Sequence, residues 1–146
     1  MVVHSRDSHP ETIRILEQED AKNVLLHMFG GKEFIQQIVK NGWLVSVNYL
    51  VTRSKTYKKV ARDLPLENLC LETDAPWNGV QKPLDLVTEK DVVFFKNDEA
   101  KVATLRNDPA TIVLTAQKIA EIKGISFEEV WKAAGQNAAK FFGINV

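Results

Sequence analysis

An α/β architecture on a parallel sheet is what this sequence predicts, from three observations. Short apolar runs suited to buried strands alternate with segments of helical period. The apolar runs end near positions 4, 27, 47 and 73, a spacing of 20 to 26 residues that matches a βα unit with short loops. Capping residues stand where each helix would begin and stop.

The elements follow in order. Val2-Val3-His4 opens strand-like, and Ser8 with Glu11 has the capping-box spacing before a helix carrying Ile13, Ile15 and Leu16 to about Glu19. Val24-Leu25-Leu26-His27 is the second apolar run, broken by Gly30-Gly31. Phe34, Ile35, Ile38 and Val39 then recur with helical spacing, and Asn41-Gly42 ends that helix. Trp43–Val47 reads as a third strand, followed by a helix from about Ser54 to Asp63 closed by Leu64-Pro65. Leu69–Thr73 is a fourth, running into Asp74-Ala75-Pro76. Residues 77–105 lack a clear period apart from Val92-Val93-Phe94-Phe95, and read as a long excursion or flap after the fourth strand. Asp108-Pro109 starts a helix that stops at Lys123-Gly124. Ser126 and Glu129 cap another carrying Val130, Trp131 and Ala134, and Asn137–Phe142 forms a last short helix.

Composition sets limits on this architecture. The 146 residues fit a single domain, 1–146, and the 45% hydrophobic and 26% charged content is that of a globular protein. The 19 basic and 19 acidic side chains cancel, which excludes gripping a polyanion by bulk charge and leaves local contacts. Cys70 is the only cysteine, so no internal disulfide forms, and its apolar neighbours predict a buried thiol. No run approaches the ~18 apolar residues of a membrane span. No secretory h-region stands at the N-terminus, so no membrane partner and a cytoplasmic location are expected.

Short apolar parallel strands imply a sheet buried on both faces. Right-handed crossovers place the helices on one side of a curling sheet or on both sides of an open one. In either case reactive groups gather at the carboxyl ends of the strands. Those positions hold His4, His27, Asn48 and Asp74, with Arg6 and Asp7 just beyond the first. Histidine with carboxylate is a ligand set that suits Zn²⁺ or Mn²⁺, whereas Mg²⁺ prefers oxygen. The bland alternative for each histidine is a satisfied strand-end residue. Glu72, two before Asp74, shares its strand face and is a candidate outer partner or a paired core-edge carboxylate. His9, beside Pro10, reads as an exposed surface residue. Arg53, Lys55, Lys58, Lys59 and Arg62 form a basic stretch, either a solvated helix face or a phosphate contact at the rim.

Six motifs give the chain a resemblance. His4-Ser5-Arg6-Asp7 resembles the "HSRDA" of the TatD family of metal-dependent deoxyribonucleases, and His27–Gly31 its "HCFSG". Leu71–Pro76 matches its "LETDAP", and Arg106–Pro109 resembles its "RNEP". Ile119–Gly124 is similar to "IAELKG", and Asn137–Phe142 to the closing "NAxxLF". The resemblance implies the C-terminal half of a TIM (βα)₈ barrel of amidohydrolase type, about four strands with outer helices, whose complete form takes typically ≈ 250 residues. It implies a divalent metal ion (Zn, Mn or Mg), one or two in the full site, and phosphodiester hydrolysis with DNA as partner. It implies His4, His27 and Asp74 as metal ligands, Asp74 as the catalytic residue that orients or deprotonates the attacking water, Arg6 facing a phosphate, and Glu72 shaping the strand end.

The chain also departs from the family. The His-x-His pair of the family's first strand and the bridging Glu of its fourth are absent, and Met1 is placed where the family's fifth strand begins. Met28 and Gly30 replace the Cys and Ser of "HCFSG", and the excursion at 77–105 is longer than usual. Three functions are compatible with these residues: the metal-dependent hydrolase, a catalytically incomplete half-barrel that binds or self-associates through open sheet edges, and a hydrolase of small esters or amides on the same fold.

Overall fold

A computed structural model describes residues 1–145. Its centre is a four-stranded parallel sheet of order β1 (Val2–His4), β2 (Leu25–His27), β3 (Leu44–Val47) and β4 (Leu69–Leu71). Between them lie α1 (His9–Gln18), α2 (Ile35–Lys40) and α3 (Lys55–Asp63), so the expected βα succession and parallel sheet are both present. Four strands are half the complement of an eight-stranded barrel.

Register decides which side chains meet. Leu26 lies opposite Val45, and Val45 opposite Leu69, so these three point to the same face. They enter one core with Ile13 and Leu16 of α1, Ile38 of α2, Val60 and Ala61 of α3, and residues of the two later helices. The crossover helices α1, α2 and α3 therefore pack one side of the sheet, which resolves the alternative the sequence left open. Each Val, Leu or Ile in this core contributes about 1.5–3 kcal/mol when fully buried, more than a strand hydrogen bond nets. The other face carries Leu25, Ser46 and Cys70, which line a cavity of about 200 Å³ with Val2, Ala138 and Phe142. Cys70 is buried as expected, and burial pushes its thiol up to about 11.

Three local features differ from expectation. Ser8 forms no cap bond to α1, because its hydroxyl instead sits 3.3 Å from that of Ser5. Residues 77–105 hold a three-stranded antiparallel sheet, of order β5 (Gln81–Pro83), β7 (Val102–Leu105), β6 (Val93–Asn97). Charged side chains on its exposed strands hid the alternation that marks a strand. The last helices also differ: α4 spans Ile112–Lys123, but α5 runs unbroken over Phe127–Phe142. Gly135 interrupts the apolar pattern of α5, yet burial of Val130, Ala134 and Ala139 outweighs the roughly 1 kcal/mol a helical glycine costs. Ser126 and Glu129 form the full capping box. Among the described residues no helix is long and apolar enough to cross a membrane.

The excursion is clasped at its tip and stitched at its base. Asp91 accepts from Lys82 Nζ at 2.7 Å and from the Thr88 amide and hydroxyl at 2.6 and 2.8 Å. At the base, the buried Asn107 donates to the carbonyls of Thr73 (2.6 Å) and Trp77 (2.7 Å), and its own amide donates to Pro76 O. Gly79 packs so closely that a Cβ there would fall 1.9 Å from Leu105 O, which excludes any other residue.

Two measurements check this account. The Lys82 and Thr88 bonds hold the Asp91 carboxyl down at about 2, below its unfolded value of about 3.9. The clasp is therefore intact above about pH 4 and is lost as pH falls through about 2. The Thr88 amide resonance should move with that midpoint, and Asp91→Asn should abolish the transition. Cys70, nearly all thiol at pH 8, should react with a disulfide reagent only as the protein opens, and at once in strong denaturant. Rapid labelling of the native chain would contradict its burial.

Candidate metal and substrate cleft

At the carboxyl edge of the sheet, His4 is paired in register with His27, and their ring centroids stand 5.5 Å apart. Strand β4 ends one residue before Glu72, whose amide still bonds to Val47 O, so the Glu72 side chain is fixed beside β3 and β2. Glu72 Oε2 lies 2.5 Å from His27 Nδ1 and accepts the Ser46 hydroxyl at 2.7 Å. A carboxylate only accepts, so Nδ1 carries a proton, and in the neutral ring Nε2 presents a lone pair. That nitrogen faces Asp74 Oδ1 at 3.7 Å.

Asp74 is positioned by the chain around it. Its φ is +59°, a left-handed conformation that aspartate tolerates better than most residues, and Met28 at φ +47° flanks the same cleft. The Asp74 carbonyl accepts the Trp77 amide at 2.8 Å, and Asn78 Nδ2 donates to Asp74 Oδ2 at 2.7 Å. The next peptide, Ala75-Pro76, is cis. Asp74 Oδ1 is thereby left facing His27.

Two electron-rich atoms, Nε2 and Oδ1, thus confront each other across a gap that no hydrogen bond closes. One oxygen of Glu72, Oε1, is buried without a partner among the described residues. A proton or a cation satisfies such an arrangement. The donors are borderline nitrogen and hard oxygen, and the His27 ring is oriented from behind by a carboxylate, as metal-binding histidines usually are. The pair fits a divalent ion. A closed cage is not formed, because among the described residues no three His, Cys, Asp or Glu side chains converge closely enough to hold a metal. His4 neighbours His27 but is exposed.

His4 and Asp74 open onto a cleft of about 580 Å³, lined also by Arg6, His9, Tyr57 and Asn78 among others, whereas His27 and Glu72 line the inner cavity of about 200 Å³. Arg6 is exposed and pairs only loosely with Asp7 at 4.0 Å, so its guanidinium is available. His9 corrects the sequence reading. It is half-buried, with Nδ1 3.0 Å from the Ser5 hydroxyl and its ring 4.4 Å from that of Phe29. The S-x-x-E spacing drew attention to Ser8 and hid the i, i+4 pairing of Ser5 with His9.

Tyr57 was also missed. It donates to Met28 O at 3.1 Å, and burial, aided by the charges of Glu72 and Asp74, holds its phenol above the usual value. Of the basic stretch, Arg53 is half-buried, donates to Gly79 O at 2.9 Å and ties down the excursion. Arg62 pairs with Asp63. Asn48, the other strand-end residue, is fully buried and caps the following turn by accepting from Leu50 N.

A family model described as TatD related DNase matches residues 1–143. The chain is 36% identical over 141 residues to the human protein named deoxyribonuclease TATDN3, covering 96% of this chain and 44% of that one. It is 29% identical to YabD of Bacillus subtilis, named an uncharacterized metal-dependent hydrolase, covering 99% of this chain and 51% of the other. A crystal structure of a TatD family hydrolase from Entamoeba histolytica superimposes with a TM-score of 0.73 at 23% identity, over 97% of this chain and 50% of that one. The chain therefore spans about half the length of the curated relatives it matches. With its fold, its strand-end motifs and a family match over nearly every residue, the chain belongs to the TatD-related DNase family.

Proposed function

We propose that this chain carries part of the site of a TatD-type deoxyribonuclease, in which water attacks a phosphodiester of DNA. The observation that carries the reading is the His27–Asp74 pair, with Glu72 fixing the imidazole so that Nε2 and Oδ1 face each other at 3.7 Å. His27, Asp74 and the neighbouring His4 would hold a divalent ion, with Zn, Mn and Mg as candidates. When bound, such an ion supplies positive charge that polarises a phosphoryl oxygen and acidifies a water.

The chain's own residues do the rest. Asn78 holds one oxygen of Asp74, which leaves the other to orient the attacking water and take its proton. Arg6, free at the cleft mouth, faces a phosphate as the substrate-binding residue. Glu72 acts through His27, keeping the proton on Nδ1. The net charge of zero gives no long-range pull on DNA, so affinity rests on these local contacts.

A second reading follows from the sheet. Among the described residues strands β1 and β4 each have one neighbour only, and Val2 and Phe142 stand more than half exposed beside the inner cavity. Such edges favour a module that self-associates.

Calorimetric titration with Mn²⁺ or Zn²⁺ tests the first reading. We expect saturable binding, lost in His27→Ala and weakened roughly 10–100-fold in Glu72→Gln, the range for an outer partner of a metal ligand. Heats that are the same in the parent and in His27→Ala overturn the metal site, and DNA cleavage that survives Asp74→Ala overturns the proposed role of that carboxylate. Sedimentation across a concentration series tests the second: a dimer dispersed by Val2→Lys supports it, and a monomer throughout removes it.

A further inference from the structure

The excursion over residues 77–105 is not absorbed by the site described so far. It begins three residues after Asp74 and presents exposed apolar side chains, among them Trp77 at 57%, Val92 at 62%, Phe94 at 46% and Phe95 at 60%. Trp77 and Phe94 meet edge to face, with centroids 4.9 Å apart and planes at 88°. That geometry fixes both rings against each other and leaves their outer surfaces open.

The backbone holds this arrangement deliberately. In the β6–β7 pairing, the register steps from Val93 opposite Leu105 to Phe95 opposite Thr104, so Phe94 is an extra residue in its strand. Such a bulge re-aims a side chain, and here it delivers Phe94 to Trp77. Trp77 in turn is tied to the cleft by its amide bond to Asp74 O. Asn107, 3% exposed, bridges Thr73 O and Trp77 O, so the aromatic pair and the Asp74 turn share one support. A hollow of about 440 Å³ is lined by Pro76, the residue before Trp77, with Ala75, Val92, Arg106 and Asp108 among others. Arg106 is exposed there, while the Asp108 carboxylate is engaged at the Ala110 amide.

We propose that Trp77 and Phe94 form a stacking platform for an unpaired nucleobase of the DNA strand whose phosphodiester lies at Asp74, with Arg106 meeting that strand's backbone. This rests on the phosphodiester reading above and extends it to how the strand is held. Aromatic faces stack any base, so the platform recognises an unstacked strand end rather than a sequence. A base paired within a duplex keeps its faces covered by its neighbours, and the platform therefore favours single-stranded or frayed ends. Continuity with the Asp74 turn is what commits the surface to this occupant. The Trp77 backbone shares its hydrogen bonds with the turn of the residue that the phosphodiester reading places at the reacting phosphate.

The test compares two short oligonucleotides of equal length and charge with cleavage-resistant phosphorothioate linkages, one of thymidines and one of abasic residues. Affinity is read by anisotropy, with protein fluorescence followed in a Trp131→Phe background so that Trp77 is the exposed indole. The thymidine strand should bind roughly five- to a hundredfold tighter than the abasic one and quench Trp77 emission. Trp77→Ala should bring the two affinities together while leaving the abasic value unchanged, and Phe94→Ala, at a separate strand position, should do the same. Equal affinities in the parent protein overturn the platform and leave the phosphodiester reading standing. Binding of neither strand overturns both. A dimer that Trp77→Ala disperses, with no base preference in the parent, would assign the patch to a second copy instead.

Discussion

In a parallel sheet every strand delivers its carboxyl end to the same edge, and in this protein the register makes that edge chemically dense. Val2 pairs with Leu25 and His4 with His27, so two imidazoles stand side by side. Ser46 pairs with Cys70, which places Glu72 where it can reach across β3 to His27. A slip of one residue would turn Leu26, Val45 and Leu69 away from the helices and His27 into them. Burial of the apolar set therefore fixes the register, and the register fixes the site. The polar cluster contributes little to holding the fold and depends on it entirely.

Two supports convert that edge into a cleft. Glu72 takes the proton-bearing side of His27 and the Ser46 hydroxyl with a single oxygen, and its other oxygen stays buried and unbonded. Leaving such an oxygen unpaired costs on the order of 1–3 kcal/mol or more for a charged group. The folded chain tolerates that cost because the core against the helices is large. Asn107 is the second support, binding the carbonyls on both sides of the Asp74 turn. Its role explains why an arginine-asparagine motif that lies far along the chain belongs with the strand-end carboxylate.

Much of this was legible in the sequence, for physical reasons. The four strands announce themselves because buried parallel strands are short apolar runs, and His27 and Asp74 stand out as polar residues that end them. Glu72 follows from the two-residue period of a strand. His9 and Tyr57 did not announce themselves. Each projects from a helix into the cleft, and a helical residue beside charges carries no local sign of facing inward. The excursion was obscure for a related reason: a small antiparallel sheet exposed on one side needs few apolar residues, and Lys82, Lys96 and Lys101 broke the alternation in and beside its strands. Helix α5 was split in the reading because Gly135 and Gln136 interrupt its stripe, although the capping box and Gly143 mark its true ends.

Half the length of its relatives, the chain still keeps the parts of the cleft whose geometry is set locally. His27, Glu72, Asp74 and Asn78 are oriented by bonds among β2, β3, β4 and the turn after β4, all of which close within residues 25–107. His4 differs, since β1 is an edge strand and its ring is exposed. The support is therefore graded, and its gradient follows the sheet: His27 and Asp74 are held by side-chain bonds, and His4 at the outer strand is held only by pairing with β2. A cation held between His27 and Asp74 would need His4, water or a further donor to complete its shell, and the cleft opens on the side where Arg6 and His4 stand. That asymmetry accounts for a pair of facing donors with a braced histidine and no closed triad.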